Sequence, residues 1–234
     1  RFKHQSQDMK KIDVILKYFY PVTAGIETNV LNVYGYMVPQ GWDVTIHTSD
    51  STPGAPHSLE STASIRGMKV LRYSWRWYGI IPRINWSKSP AIALHNFDIF
   101  PHSWILLLVL ARRLLGMKTP KVFLTPHGGY TPGWSTFGPV SRVIKQFYQK
   151  TLGTFLINSV VNGLRSVSKW ETRETVKSGV KPEIVRTITN GLKAEVYTDI
   201  AKLASDEIKS QVKKIGTYIV QVGRIHPIKN QLTT

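Results

Sequence analysis

A histidine followed by two glycines, "TPHGG", closes one of the apolar runs of this sequence at His127, Gly128 and Gly129. An imidazole in that place can donate a hydrogen bond to a hydroxyl or phosphate oxygen, or exchange a proton near neutral pH. Gly128 and Gly129 leave room for a ligand beside the ring. A half-exposed loop histidine satisfied by backbone fits the same residues, and the local sequence does not separate the two. Farther on, "VGRIHPIKN" sets Arg224 and Lys229 behind a strand-like run. The guanidinium fork can chelate phosphate oxygens, and the lysine adds a point charge. With a helix starting after Pro227, the pair has the chemistry to hold a diphosphate leaving group without a metal. A solvated basic loop has the same composition.

Near the other end, "YPVTAGIETNV" joins a strand to a helix through Pro21 and Gly25. Glycine lets a backbone approach a ligand closely, and the free amides that open a helix favour an anion. Taken alone, the loop reads as an ordinary tight turn. Other chemistries lack their residues. There is no G-x-G-x-x-G, no G-x-x-x-x-G-K-[ST], no H-E-x-x-H and no G-x-S-x-G. His95 and His102 flank "NFDIFP" without a third partner and read as core or loop histidines rather than metal ligands. The absence of cysteine excludes disulfides and thiolate metal sites.

These segments need elements to position them. "KIDVILKYF", "DVTIHTS", "MKVLRYS", "FDIFP", "KVFLTP", "LRSVS", "EIVRTI" and "TYIVQV" read as strands. Between them run helix-length stretches. In the first, Ile26, Val30, Val33 and Met37 share one face, and Pro39 with Gly41 closes it. "WILLLVLARRLL" is too short for a membrane span, which needs ~20 residues. It reads as a buried helix capped by Ser103, with Arg112 and Arg113 in its last turn and Gly116 at its exit. Two more helical stretches cover Val140 to Val161. The polar segment Ser49 to Ser64 reads as a loop. Alternation of this kind predicts an α/β fold, a Rossmann-like, mainly parallel sheet with helices on both faces. Ligands of such sheets sit beyond the carboxyl ends of the strands, where the segments above all fall.

The formal charge is +17. It favours anionic partners, although no basic run or arginine-rich arm concentrates it. Aromatic residues from Tyr73 to Trp86 could lie at a membrane interface, stack on bases or serve as core.

The order of the segments carries a resemblance. "YPVTAGIETNV", "GWDV", "FDIFPHSW", "TPHGG", "SVSKWE", "TNGLKAEVY" and "GRIHPIKN" follow one another as the motifs of family 4 glycosyltransferases of the GT-B fold do. The resemblance spans nearly the whole chain. It implies a first, acceptor-side domain over residues 1–198, then a linker helix and the start of a truncated, second Rossmann-like domain over 199–234. The family's E-x7-E pair lies beyond "GRxxxxK", so the chain is expected to be a fragment, inactive alone. By the same resemblance, Gly25 lies near the donor phosphates and His127 beside the transferred sugar. Arg224 and Lys229 hold the diphosphate. Glu27 and Gly128 border the cleft, and Asn190 with Gly191 marks the approach to the hinge. Two positions depart from the pattern: Ala24 stands where a second glycine is usual, and Thr189 where proline usually precedes the asparagine.

The implied activity is sugar transfer with retention of configuration, from a nucleotide-diphosphate sugar to a glycan or lipid-linked acceptor. The nucleotide sugar is a co-substrate, and no cofactor or metal is expected. The implied place is the cytoplasm, with peripheral contact to an anionic membrane face. The competing class is a basic Rossmann-like module binding anionic membrane or nucleic acid, of which nucleic acid is the less favoured.

Overall fold

The structure, a computed structural model, describes residues 10–74, 84, 86, 89–97, 100–128, 138–191 and 204–215. The chain divides into two compact units, residues 1–131 with 139–189 and residues 132–138 with 190–234.

The first unit is built on one sheet. Its strands are β1 (Lys10–Ile15), β2 (Trp42–Ser49), β3 (Thr62–Ile65), β4 (Met68–Tyr73), β5 (Ala91–His95), β6 (Lys121–Thr125), β7 (Gly163–Ser166) and β8 (Val185–Thr187). They lie in the order β3-β4-β2-β1-β5-β6-β7-β8. Every neighbouring pair is parallel except β3 with β4. The helices are α1 (Gly25–Met37), α2 (Phe100–Leu114), α3 (Pro139–Tyr148), α4 (Thr154–Val160) and α5 (Lys169–Lys177). A five-residue π-helical turn, Gln149–Gly153, joins α3 to α4. This is the α/β, mostly parallel, Rossmann-like sheet with helices on both faces that the alternation predicts. In the second unit, the described residues include one helix, α6 (Asp206–Ile215), with acids in its first turn and lysines in its last. The predicted strand "TYIVQV" and the residues after it lie outside the described residues.

Two cores flank the sheet. On one face, Val30 and Tyr34 of α1 pack over Ile12 and Val14 of β1, Ile46 of β2, Val70 of β4 and Ala93 of β5. On the other, Ile105, Leu106 and Val109 of α2 and Leu156 and Ile157 of α4 pack over Ile92, Leu94, Val122, Leu124 and Leu164. Strand β5 is buried on both faces, the usual state of an inner parallel strand.

That burial corrects the sequence reading. The fourth strand in the chain's main parallel series is "AIALH", not "FDIFP". An uninterrupted apolar run suits a strand covered twice, whereas Pro101 suits the first turn of α2, where its missing N–H costs nothing. Helix α2 therefore starts before Ser103, and that residue does not cap it. Its hydroxyl lies 2.8 Å from that of Tyr148 instead. The exit at Gly116 is as expected, at φ 69 with its N–H donating to Arg113.

The polar loop Ser49 to Ser64 also hides an edge strand. Thr62–Ile65 forms a hairpin with β4 through Arg66 and Gly67, both at positive φ (51 and 78), as a tight two-residue hairpin requires. In α1 the buried face is Glu27, Val30 and Tyr34, rotated from the predicted stripe. Val33 is 39% exposed because α1 leaves β6 and β7 bare on that side.

Candidate functional site

The strand order places a topological switch at β1 and β5. From β1 the chain moves outward to β2 and β4, then returns to pair β5 on the other side of β1. Loops leaving the carboxyl ends of those strands diverge there and leave a crevice for ligands. The loop after β1 leads to Gly25. His95 ends β5, and His127 follows β6.

Three of these side chains form a line. The Tyr34 hydroxyl lies 3.1 Å from His95 Nε2, and His95 Nδ1 lies 2.8 Å from His127 Nε2. The imidazoles stack, with centroids 5.1 Å apart. Among the described residues, His95 is the hydrogen-bonding partner of Tyr34, so the phenol donates to Nε2 or leaves a buried hydrogen unmatched. With Nε2 accepting, neutral His95 carries its hydrogen on Nδ1 and donates it to His127 Nε2. Neutral His127 then presents Nδ1–H as a donor.

Burial keeps both rings neutral. It lowers His95 well below the ordinary histidine value, and the neighbouring His127, His102 and Arg165 act in the same direction. It also lowers His127, to about 4, with the Arg165 guanidinium contributing. Burial raises the Tyr34 phenol above its usual value.

Arg165 reaches this place from β7. Its Nη1 donates to Asn29 Oδ1 of α1 at 3.0 Å, and its Nε and Nη2 donate to the carbonyls of Ile188 and Thr189 at 2.9 and 3.2 Å. It thus ties the first turns of α1 to the chain leaving β8.

The histidine loop is held by a second clamp. His127 and Gly128 both have positive φ, 51 and 87. Histidine tolerates that region better than most residues, and glycine adopts it freely. The Gly128 N–H donates to Glu171 Oε1 at 2.7 Å, and Val167 N–H donates to Oε2 at 2.6 Å. Glu171 is the third residue of α5, and its own N–H donates to Oγ of the cap, Ser168. The S-x-x-E pattern is that of a capping box, but the acid reaches back to the amide one residue before the cap and also fixes a loop from another strand.

At the start of α1, the cap position is Ala24, which offers no side-chain acceptor to the first amides. A Cβ added at Gly25 would meet nothing within 4 Å, so the space beside these amides is open. Glu27 is buried, and its Oε2 has no hydrogen-bond partner among the described residues. An open space, uncapped amides and an orphaned carboxylate oxygen together fit a ligand carrying both acceptors and hydroxyl donors.

Of the residues singled out from sequence, His127 and Gly128 share one loop, and Gly25 and Glu27 share the first turn of α1. Asn190 and Gly191 follow β8 and belong to the second unit. Arg224 and Lys229 lie outside the described residues, as does most of the aromatic stretch Tyr73 to Trp86. Trp86 itself packs on the core, with Arg112 5.5 Å above its ring. Sequence reasoning missed Tyr34, Arg165 and Glu171, and it read His95 as a core or loop histidine without seeing its neighbours. Ending β5 at His95 would have found the second histidine, and "SKWE" is the signature of the capping box.

A cavity of about 340 Å³ lies on the bare α1-side face, lined by residues including Tyr34, Phe123, Arg165, Arg186 and Ile188. His127, Gly25 and Glu27 are not in its wall. Among the described residues, no helix is long and apolar enough to cross a membrane.

The sequence profile of Glycosyltransferase Family 4 matches residues 23–196, well over half of the chain. No curated protein matches. Among solved structures, HepE of Anabaena in complex with UDP-glucose superposes with a TM-score of 0.60 at 13% identity, over 95% of this chain and 55% of that one. A glycosyltransferase from Rickettsia africae superposes with a TM-score of 0.51 at 12% identity, over 88% of this chain and 49% of that one. The chain therefore spans about half the length of the solved structures it resembles.

Proposed function

The chain belongs to glycosyltransferase family 4, and from that premise we propose that it forms the acceptor-side half of a transferase site. The reaction moves a sugar from a nucleotide-diphosphate sugar to a hydroxyl of a glycan or lipid-linked acceptor. It takes place in the cytoplasm, with retention of configuration and without a resident metal. The observation that carries this reading is the line Tyr34–His95–His127, which ends in a neutral imidazole donor at the switch point of the sheet. HepE, bound to UDP-glucose, has the same fold, which supports a nucleotide sugar as the ligand class.

In this reading His127 Nδ1–H donates to a hydroxyl or phosphate oxygen of the donor, where a neutral ring orients without adding charge. The open amides at Gly25 face the diphosphate, and Glu27 accepts from a hydroxyl. Arg224 and Lys229 take up charge as the bond between the sugar carbon and the diphosphate oxygen breaks, the acceptor hydroxyl oxygen bonds to that carbon, and its proton passes to the released diphosphate. Asn190 and Gly191 mark the passage to the donor-side domain, which begins near residue 199.

The test is kinetic. In the native polypeptide carrying this sequence, His127→Ala and Lys229→Ala each lower kcat for sugar transfer by roughly 100-fold or more. NMR of the product gives the anomeric configuration of the donor. Wild-type rates in both variants would remove the site assignment, and an inverted product would remove retention. The 234 residues alone, spanning half of their solved relatives, are expected to give no transfer, and measurable transfer by them would show that they need no further domain.

A further inference from the structure

Arg72 carries a buried charge that ties two loops together. It is the residue before the last of β4 and is 8% exposed. Its Nη2 donates to the Tyr20 carbonyl at 3.0 Å, and its Nη1 to the Glu60 carbonyl at 3.1 Å. Its backbone N–H donates to the Ser61 carbonyl at 2.7 Å. Nε is buried and has no hydrogen-bond partner among the described residues. Tyr20 lies in the loop from β1 to α1, and Glu60 in the loop from β2 to β3. One guanidinium thus joins two loops at the edge of the sheet where the parallel strands end, reaching past β2 to do so.

The loop from β1 has a half pinned by other elements and a half that Arg72 holds. The Lys17 carbonyl accepts from the N–H of Ser49 at 3.0 Å and from Thr48 Oγ1 at 3.1 Å, both of β2. Phe19 is buried in the core under α1. From Tyr20 to Ala24 no residue is buried. Among the described residues, the bond from Arg72 to Tyr20 is the one that fastens this stretch to another strand. Gly25 and the open amides of α1 come next.

Fastening a loop needs no charge. A neutral side chain can donate to a carbonyl, and a guanidinium costs more to take out of water. A cation kept against this loop favours an anion on it.

We infer that Arg72 is a positioning residue of the transfer site. Through Tyr20 it sets where the Gly25 amides stand, and its charge strengthens their hold on a phosphate. Through Glu60 it makes the loop before β3 part of the same unit. The inference rests on the reading that those amides face the donor diphosphate.

The test uses Arg72→Gln and Arg72→Lys in the native polypeptide. Arg113→Gln is the control for lost charge, since Arg113 of α2 donates to the Ser159 carbonyl and Asn162 Oδ1 instead. Amide exchange is followed by NMR at Val22 and Thr28, whose N–H groups donate to the carbonyls of Phe19 and Ala24 at 3.2 and 3.0 Å. It should become roughly tenfold faster in Arg72→Gln and stay as in wild type in Arg113→Gln, with β5 amides unchanged in both. Inorganic pyrophosphate is then titrated against the amides of Gly25, Ile26 and Glu27. Wild type and Arg113→Gln should bind it alike, and Arg72→Gln roughly tenfold more weakly. Arg72→Lys keeps the charge without the planar fork and should lie between in both measurements. It decides alone if Arg72→Gln does not fold. Unchanged exchange at Val22 and Thr28 would overturn the clamp, and wild-type pyrophosphate affinity in the Arg72 variants would overturn its part in phosphate binding. Silent Gly25 amides in wild type would instead remove the placement of the donor phosphates, and the role of Arg72 with it.

Discussion

His95 Nδ1 lies 2.8 Å from His127 Nε2, and the second histidine stands in the left-handed region at φ 51. Two imidazoles so close cannot both be protonated without strong repulsion, and burial already disfavours the charged form of each. The pair is therefore a neutral hydrogen-bonded unit over the pH range in which histidine usually titrates. Arg165 adds positive charge and reinforces this neutrality.

The consequence for pH is directional. An unfolded histidine takes up its proton near 6.5. Folded His127 does so only at about 4. Between those values the unfolded chain binds more protons, so stability is full above about 6.5 and falls as the pH drops through the window. His127 alone accounts for about 3 kcal/mol at most. Thermal unfolding between pH 7 and 4 tests this, and His127→Gln should flatten the slope. A ring proton shift that titrates near 6.5 would contradict it. The groups facing the ring from other elements are His95, Arg165 and, through Gly128, Glu171.

Below that window a second group takes over. Burial tends to raise the Asp13 carboxyl, but hydrogen bonds from His47, at 3.1 Å, and Ser89 outweigh it and hold the group below its usual value. A carboxylate so lowered contributes stability above about pH 4 that is lost as the pH falls further. Asp13→Asn should remove that acid limb and leave the histidine window in place. Identical acid melting curves for variant and wild type would show that the pair contributes nothing.

Glu171 should matter more than an ordinary capping residue. It is 2% exposed and accepts from two backbone amides, one of them in the histidine loop. Glu171→Ala strands both donors and should cost about 3 kcal/mol, whereas Ser168→Ala, which removes the cap, should cost about 1 kcal/mol. Equal melting temperatures for the two variants would mean that the bond to Gly128 carries no weight.

The legible parts of this protein were those fixed locally. Alternating apolar runs gave the sheet, and the "TPHGG" and "VTAGIE" loops were found because they leave strands. The partners were not legible. Tyr34 meets His95 across 61 residues, and Arg165 meets Asn29 across 136, so only the strand order brings them together. His95 was read as a core or loop histidine because its strand was set one segment too late, which moved the histidine away from a strand's carboxyl end. Glu171 was hidden by its double role, since a capping box explains an S-x-x-E without invoking another strand.

Two glycines near the site should answer differently to alanine. Gly128 sits at φ 87, where an L side chain is strained, so Gly128→Ala should cost about 1–2 kcal/mol. Gly25 has no such constraint, and its Cβ would enter open space. Gly25→Ala should leave the melting temperature within about 0.5 kcal/mol of wild type. In the native polypeptide it should still lower kcat/KM for a nucleotide sugar by roughly tenfold, because the methyl group occupies the space beside the amides. Unchanged kinetics would place the donor phosphates elsewhere.

The direction of the hydrogen-bond line can be read from nitrogen chemical shifts. If Tyr34 donates to His95, both rings hold their hydrogen on Nδ1, and long-range ¹⁵N–¹H correlation spectra show Nε2 of each as the acceptor. Tyr34→Phe removes the donor that sets this order while keeping the ring that packs over the sheet. His95 Nε2 then lacks its donor, and the two rings are free to exchange tautomers. His127 should lose its single Nδ1–H form, with kcat falling more than KM rises, because the variant changes an orienting donor rather than a binding surface. His95→Gln restores the pattern in part only where its amide nitrogen donates to His127 Nε2; His95→Leu fills the volume without donating. A Leu variant that matches Gln in both the His127 tautomer and kcat would show that His95 only fills space.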